Sequence, residues 1–470
     1  MIRTRFSPSP TGMLHLGNAR TALFSALYAA HHQGAFILRI EDTDAVRSEQ
    51  KYTDLLQANL HWLGVYWQEG PDVGGPYAPY HQSARHDIYD SYYQKLMDQG
   101  LAYFCFCTDQ ALMLNRKIQL SRGQAPRYPG TCRHLTQEET AAHIAKGLTP
   151  ALRFSVPKGI TIDFVDLVKG PQSFQSDDIG DFLIRRADKT ASFLFSNAID
   201  DSLMNISHVV RGDDHLANTP RQLMLLEALQ LPAPHYSHLS MITGDDGAPL
   251  SKRHGSFSLH DLREQGYISL AVMNYLARLS HSYENQKLMS FSELAKYFYL
   301  EKISRAPARF DRNQLLHWQK EAVMAESDEA IFAWLGDDLM QHVPESKRHA
   351  FADVMKKNVL FPADAKKWVK IFFQEALVFQ EEQTIIFKQA GVDFFKAAIA
   401  AIQKHGEDIK AVCNDIKTQC NVSGKLLFMP LRVALTGEQH GPELAHIASL
   451  LGQDSMLKHV QHASELARKS

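Results

Sequence analysis

Two segments, one starting at Pro8 and the other at Leu250, constrain this chain more than anything else in it. The first is Pro8-Ser9-Pro10-Thr11-Gly12-Met13-Leu14-His15-Leu16-Gly17-Asn18. It separates a strand-like run, Arg3 to Ser7, from Ala19 to Ala30, where apolar residues recur at helical spacing. Two prolines and Gly12 force a turn between them. His15 and Gly17 are therefore expected at the start of a helix that follows a first strand. A helix N-terminus offers unpaired N–H groups and positive partial charge, which suit phosphate. Gly17 lets a purine or ribose lie against backbone, and His15 can donate to a phosphate oxygen. A plain strand–turn–helix unit with a surface histidine fits the same residues, because short motifs have many accidental matches.

The second segment, Leu250-Ser251-Lys252-Arg253-His254-Gly255, follows the turn-forming Gly244-Asp245-Asp246-Gly247-Ala248-Pro249. A basic loop there can close over a pyrophosphate leaving group and stabilise charge that develops only in the transition state. Alone, a solvated basic loop explains it equally well. In this order, the pair describes a chain that brackets a triphosphate between a helix N-terminus and a basic loop.

Cys105-Phe106-Cys107 and, further on, Cys132-Arg133-His134 supply two pairs of sulfur and nitrogen ligands of the kind that surround one tetrahedral zinc. Five cysteines is an odd number, which argues against a disulfide framework. Cys105 and Cys107 as ordinary strand residues remain the alternative. Cys413 and Cys420, in a helical stretch, read as thiols without chemistry.

At 470 residues the chain has room for three or more domains of about 150 residues each. Strand and helix patterns alternate over 1–100, with helical spacing clear in Tyr52–Leu63 and Ile88–Met97, as in a doubly wound parallel sheet. Residues 101–194 read as an insertion carrying the cysteines, a basic Arg116–Arg127 stretch and β-like runs at Ala151–Val156 and Ile160–Val168. Residues 195–245 return to the sheet, 246–320 hold the basic loop and further helices, and 321–470 are helical, with Trp334, Trp368, Phe372, Phe387 and Phe395 as candidate core. No run of apolar residues is long enough for a membrane span, and the N-terminus enters a strand without signal-peptide architecture, so a cytoplasmic location is expected. The net charge is −2, so any nucleic acid must be met by local patches rather than by a global field.

The two segments resemble the HIGH and KMSKS signatures of class I aminoacyl-tRNA synthetases, and their surroundings resemble the bacterial glutamyl-tRNA synthetases. Further stretches agree: Arg39-Ile40-Glu41-Asp42-Thr43-Asp44, Glu69 to Tyr77, Asp200-Asp201 with His208 to His215, Tyr267 to Leu279, and Pro430 to Gly437. The resemblance spans nearly the whole chain. It implies a Rossmann-type α/β catalytic domain with a zinc-containing insertion and an all-α C-terminal anticodon-binding domain. It also implies a ligase that activates L-glutamate with ATP and Mg²⁺ and transfers it to tRNA(Glu), and a monomer is expected. By the same resemblance Arg5 reads the side-chain carboxylate, a task suited to a guanidinium fork. Ser7 and Ser9 line the amino-acid pocket, Glu41 holds the α-ammonium, and Asn197 and Arg211 orient the amino acid. His15, Gly17, Asn18, Ser251, Lys252 and Arg253 meet ATP, with His15 and Lys252 in catalytic roles. Cys105, Cys107, Cys132 and His134 hold one structural Zn²⁺.

The chain departs from the family pattern in places. Pro249 replaces the first lysine of the second signature, Phe193 stands where a pocket tyrosine is common, and Asn18 replaces the second histidine of the first signature. A glutaminyl enzyme differs in its first signature and lacks the cysteine pattern. The shorter paralogue that glutamylates a tRNA base lacks the helical C-terminal part. Charging of tRNA(Gln) as well as tRNA(Glu), and a weakly active tRNA-binding paralogue, remain as alternatives. Within the helical part, Lys356-Lys357 and Lys366-Lys367-Lys370 form the densest basic cluster, a candidate contact for the anticodon arm.

Overall fold

The short run Arg3–Phe6 forms β1, and three of its four residues are buried. The turn that follows delivers the chain into α1, Leu16–His31, which buries Ala19, Leu23, Ala26 and Leu27 along one side. The computed structural model describes residues 1–44, 48–250, 258–374 and 377–468. They divide into two compact units, 1–264 with 269–315, and 265–268 with 316–470.

In the first unit, β2 (Ala35–Leu38) pairs parallel with β1, in register from Arg3 opposite Ala35 to Phe6 opposite Leu38. Helices α2 (Gln50–Trp62) and α3 (His86–Asp98) follow, close to the spans their periodicity predicts. Next come β3 (Ala102–Cys105), α4 (Asp109–Ser121), α5 (Gln137–Ala145) and β4 (Ala151–Phe154). The hairpin β5 (Thr161–Asp166) and β6 (Gly170–Gln175) leads through the single turn α6 (Ser176–Ile179) to β7 (Phe182–Arg185). Then α7 (Phe193–Leu203), β8 (His208–Gly212), α8 (Thr219–Ala228) and β9 (His235–Leu239) complete the parallel part.

β8 and β9 pair parallel over their whole length. Ser207, at the entrance to β8, donates its backbone N–H to the Arg3 carbonyl at 2.9 Å, and its hydroxyl accepts the Arg3 N–H at 2.8 Å. β1 and β8 thus lie side by side, one followed by α1 and the other by α8. Their carboxyl ends define the switch point where open α/β sheets bind ligands. The expected doubly wound parallel core is present. Within the stretch read as an insertion, β3, β4 and β7 make a separate antiparallel sheet. β5 instead reaches β9 in parallel at Asp166 opposite Tyr236. The reason is local: one Asp166 oxygen accepts the Val168, Lys169 and His238 N–H groups, which stitches the strand end to β9.

The second unit is helical and closes on one apolar core that includes Trp368, Phe372, Phe387 and Phe395. Trp334 packs at its margin and is only partly buried, and its indole N–H donates to the Gly266 carbonyl at 2.8 Å. The helix Lys425–Thr436 ends at Gly437, whose φ of 74° is left-handed. That conformation favours glycine at a helix C-terminus. Within the unit, Lys356 pairs with Asp328 at 2.6 Å, Lys357 with Asp353 at 2.9 Å and Lys367 with Glu438 at 3.2 Å. Among the described residues, no helix is long and apolar enough to cross a membrane.

Candidate active site

The carboxyl ends of β1, β8 and β9 and the start of α1 surround a cavity of about 720 Å³. Arg5, Ser7, Ser9, His15, Gly17, Asn18, Glu41, Phe193, Asn197 and Arg211, all candidates from the sequence, line it. His15 is the N-cap of α1, with extended backbone (φ −77°, ψ 159°), and no side chain among the described residues caps the helix. The first N–H groups of α1 are therefore left for water or an anionic ligand. Among the described residues, a Cβ built on Gly17 would meet nothing within 4 Å. Packing does not require glycine there, so its value lies in leaving backbone open toward the cavity.

One end of the cavity is a buried charge network. Asp201 accepts from Arg5 Nε at 3.0 Å and from Arg39 Nη1 at 2.8 Å. Arg5 Nη2 reaches Asn197 Oδ1 at 3.4 Å, and Asn197 donates to Glu41. Burial would raise the Asp201 carboxyl, but the two guanidiniums outweigh it and hold it below the ordinary carboxylate range. Glu41 goes the other way: burial pushes it up to about 7, only partly opposed by Arg39, Arg5 and Asn197. Arg39, Arg5 and Arg211 thus face Asp201 and a Glu41 that is half protonated near neutrality, so this end carries surplus positive charge.

Among the described residues, three buried polar atoms of the lining, Ser7 Oγ, Arg20 Nε and Arg211 Nη1, have no hydrogen-bond partner. Native interiors rarely leave such groups unpaired unless a ligand or water takes them up. Sequence reasoning gave no role to His215, Asp214 and Arg20, which also line the cavity. The His215 ring lies 5.1 Å from that of Phe193, and burial pushes it down to about 4, so it is a neutral imidazole. Arg20 donates to the Ser240 carbonyl, and burial lowers it to about 10. The only trace of His215 and Asp214 in the sequence was their place in the segment from His208 to His215; Arg20 stood unmarked within α1.

Pro249 and Leu250 reach the cavity edge. Ser251, Lys252 and Arg253 lie outside the described residues.

A second cluster lies in the insertion. The sulfurs of Cys105, Cys107 and Cys132 all fall within 4.8 Å of one another, and Cys107 and Cys132 are 3.7 Å apart. Tetrahedral zinc with bonds of about 2.3 Å places its sulfurs about 3.8 Å apart, so the donor set fits that ion. The fourth member differs from the expectation. His134 is not brought into the cluster. The Tyr128 hydroxyl stands there instead, 3.4 Å from both Cys105 Sγ and Cys107 Sγ, and it accepts the Cys132 N–H at 3.0 Å. The Arg153 guanidinium, 3.8 Å above the Tyr128 ring, holds the phenol in place.

Comparison with known proteins gives the same outline. Residues 1–317 match the family model for the catalytic domain of class I tRNA synthetases (E and Q), and residues 329–464 match an anticodon binding domain. A glutamate–tRNA ligase 2 of Coxiella burnetii is 48% identical over 99% of this chain and 100% of its own. One of Nitrosococcus oceani is 50% identical over 98% of each. The crystal structure of a glutamate–tRNA synthetase from Elizabethkingia anophelis superposes with a TM-score of 0.89 at 31% identity, over 99% of both chains.

Proposed function

The chain belongs to the class I tRNA synthetases of the glutamate and glutamine type, and from that membership and the cavity we propose how it acts as a glutamate–tRNA ligase. Ser7 Oγ and Arg211 Nη1, two of the buried lining atoms with no partner among the described residues, carry the reading. They sit in a pocket with surplus positive charge, which suits an amino acid bearing two carboxylates.

Arg5 reads the side-chain carboxylate of L-glutamate, which a neutral amide would not satisfy. Glu41 takes the α-ammonium, and Asn197, Arg211, Ser7 and Ser9 fix the orientation, with Phe193 as the apolar wall. His15, Gly17 and Asn18 at the start of α1 hold ATP, and Ser251, Lys252 and Arg253 are assigned to its phosphates by the family resemblance. So placed, the α-carboxylate attacks the ATP α-phosphorus in line. The α-phosphorus–oxygen bond to pyrophosphate breaks, and glutamyl-adenylate forms. Mg²⁺, when bound, neutralises phosphate charge. The terminal adenosine 2′-hydroxyl of tRNA(Glu) then attacks the activated carbonyl and AMP leaves. The protein's share is positioning and charge stabilisation. Cys105, Cys107, Cys132 and Tyr128 would hold one structural Zn²⁺. Purified protein given labelled glutamate, ATP and tRNA should form base-labile glutamyl-tRNA; labelled glutamine charged in its place would refute the reading.

Glu41 gives the reaction a pH signature. A carboxyl near 7 is protonated below that pH, and taking up an ammonium then requires loss of its proton. Glutamate KM should therefore rise about tenfold per pH unit below 7, while ATP KM stays level. Glu41→Gln should raise KM and remove the slope. A wild-type glutamate KM that does not change between pH 6 and pH 8 would contradict this.

For tRNA, the pairs of Lys357 and Lys367 are surface ion pairs worth about 0–1 kcal/mol and exchange readily for phosphate. Charge reversal of Lys366 and Lys370 should raise tRNA KM several-fold. It should also lower the salt slope by about 0.7–0.9 for each phosphate left unneutralised, with glutamate and ATP KM unmoved. An unchanged tRNA KM and salt slope would place the anticodon-arm surface elsewhere.

A further inference from the structure

Arg211 is held in an unusual way for a buried cation. Among the described residues, no carboxylate lies within ion-pairing distance of it. Its Nε donates to His238 Nε2 at 3.0 Å and its Nη2 to Thr219 Oγ1 at 2.8 Å. Its Nη1 is buried, with no partner among the described residues. The guanidinium also lies 5.0 Å over the Tyr236 ring. Behind it, His238 Nδ1 meets Asp166 Oδ2 at 2.5 Å, and both side chains are fully buried. An arginine can only donate. His238 Nε2 must therefore be the bare nitrogen, and Nδ1 carries the proton and gives it to Asp166. The other Asp166 oxygen takes the Val168, Lys169 and His238 N–H groups, so the carboxylate is locked in turn.

We propose that Asp166 and His238 are positioning residues for amino-acid recognition, a chain that aims the Arg211 guanidinium at the cavity while leaving its charge for a substrate carboxylate. Direct contact between Asp166 and Arg211 would neutralise the cation before substrate arrived. The interposed imidazole passes on orientation, and the carboxylate fixes its tautomer and strengthens Nε2 as an acceptor. Burial lowers both His238 and Arg211, the latter to about 10, so the imidazole stays neutral and the guanidinium stays charged at neutral pH. Nothing local in the sequence signals the chain. Its members come from the ends of β5, β8 and β9 and the start of α8. The proposal rests on the cavity being the glutamate site.

The test compares His238→Leu, His238→Gln, Asp166→Asn and Arg211→Ala by glutamate-dependent ATP–pyrophosphate exchange with tRNA present, alongside thermal melting. His238→Leu should raise glutamate KM about tenfold or more and leave ATP KM within about twofold. His238→Gln places an amide oxygen near the position of Nε2 and should return glutamate KM to within about threefold of the wild type. Asp166→Asn keeps the side-chain shape but confuses the tautomer, and should raise glutamate KM about five- to tenfold. The double variant of His238→Leu and Asp166→Asn should be no worse than His238→Leu, because the two act in series.

An unchanged glutamate KM in His238→Leu beside a raised one in Arg211→Ala would overturn the chain and spare the cavity assignment. Glutamine at 238 as damaging as leucine, or an equal rise in ATP KM, would overturn it as well. An unchanged glutamate KM in Arg211→Ala would refute the cavity reading and this proposal with it. Should His238→Leu fail to fold, Asp166→Asn carries the decision: a glutamate KM equal to wild type overturns the proposal.

Discussion

Replacing Arg5 by alanine is expected to lower kcat/KM for glutamate by about a hundred- to ten-thousandfold, since two charge-assisted hydrogen bonds of about 1.5–3 kcal/mol each disappear. ATP KM should stay within about twofold, because α1 and the proposed nucleotide site at its start are untouched. The fold should survive. Arg5 is one of two guanidiniums on Asp201, and Arg39 remains at 2.8 Å, so the buried carboxylate is not orphaned. The change should still show as acid sensitivity. Asp201 is depressed in the folded state, so it stabilises the protein above its unfolded value, and that stability is lost as pH falls. With one cation gone, the variant should unfold at a higher pH than the wild type. Arg5→Lys keeps the charge beside Asp201 but not the planar fork, and should lose most of the glutamate activity at nearly full stability. Normal glutamate charging by either variant would remove Arg5 from the specificity assignment.

Cys107→Ser is expected to have the largest effect outside the cavity. Purified wild-type protein should carry about one equivalent of zinc, and the variant less than about a tenth of that, because a closed site tolerates no missing thiolate. In the β3–β4–β7 sheet, β3 ends at Cys105, one of the proposed metal ligands, so the insertion should melt or become protease-sensitive ahead of the rest of the first unit. Structural zinc contributes folding free energy directly, and a chelator should reproduce the phenotype in the wild type. Tyr128→Phe and His134→Ala separate the two candidates for the fourth ligand. Zinc affinity should fall in the tyrosine variant and hold in the histidine variant. The opposite pattern would restore His134, and full zinc retention in Cys107→Ser would refute the site.

What could be read from the sequence was what is local along the chain. β1, the proline-rich turn and α1 were legible because period and turn chemistry act over a few residues. They carry Arg5, Ser7, Ser9, His15, Gly17 and Asn18 into one wall of the cavity. Glu41, Asn197 and Arg211 were placed only by family register, since no spacing joins them to that wall. The partners behind the wall were not legible. Asp201 between Arg5 and Arg39, Asp166 behind His238, and Tyr128 beside the cysteines each depend on tertiary pairing that leaves no periodic mark. The lysine cluster shows the same limit. Its density was plain, but the acids that pair with Lys356 and Lys367, Asp328 and Glu438, come from other helices or their ends.

The most direct test of the glutamate assignment is amino-acid-dependent ATP–pyrophosphate exchange, run with glutamate, glutamine and aspartate, each with and without tRNA. A pocket with surplus guanidinium charge should exchange with glutamate by about a hundredfold or more over glutamine, because the amide leaves buried donors unsatisfied. That exchange should depend on tRNA, as the family resemblance implies. Exchange supported equally by glutamine, or by no amino acid at all in the presence of tRNA, would contradict the assignment.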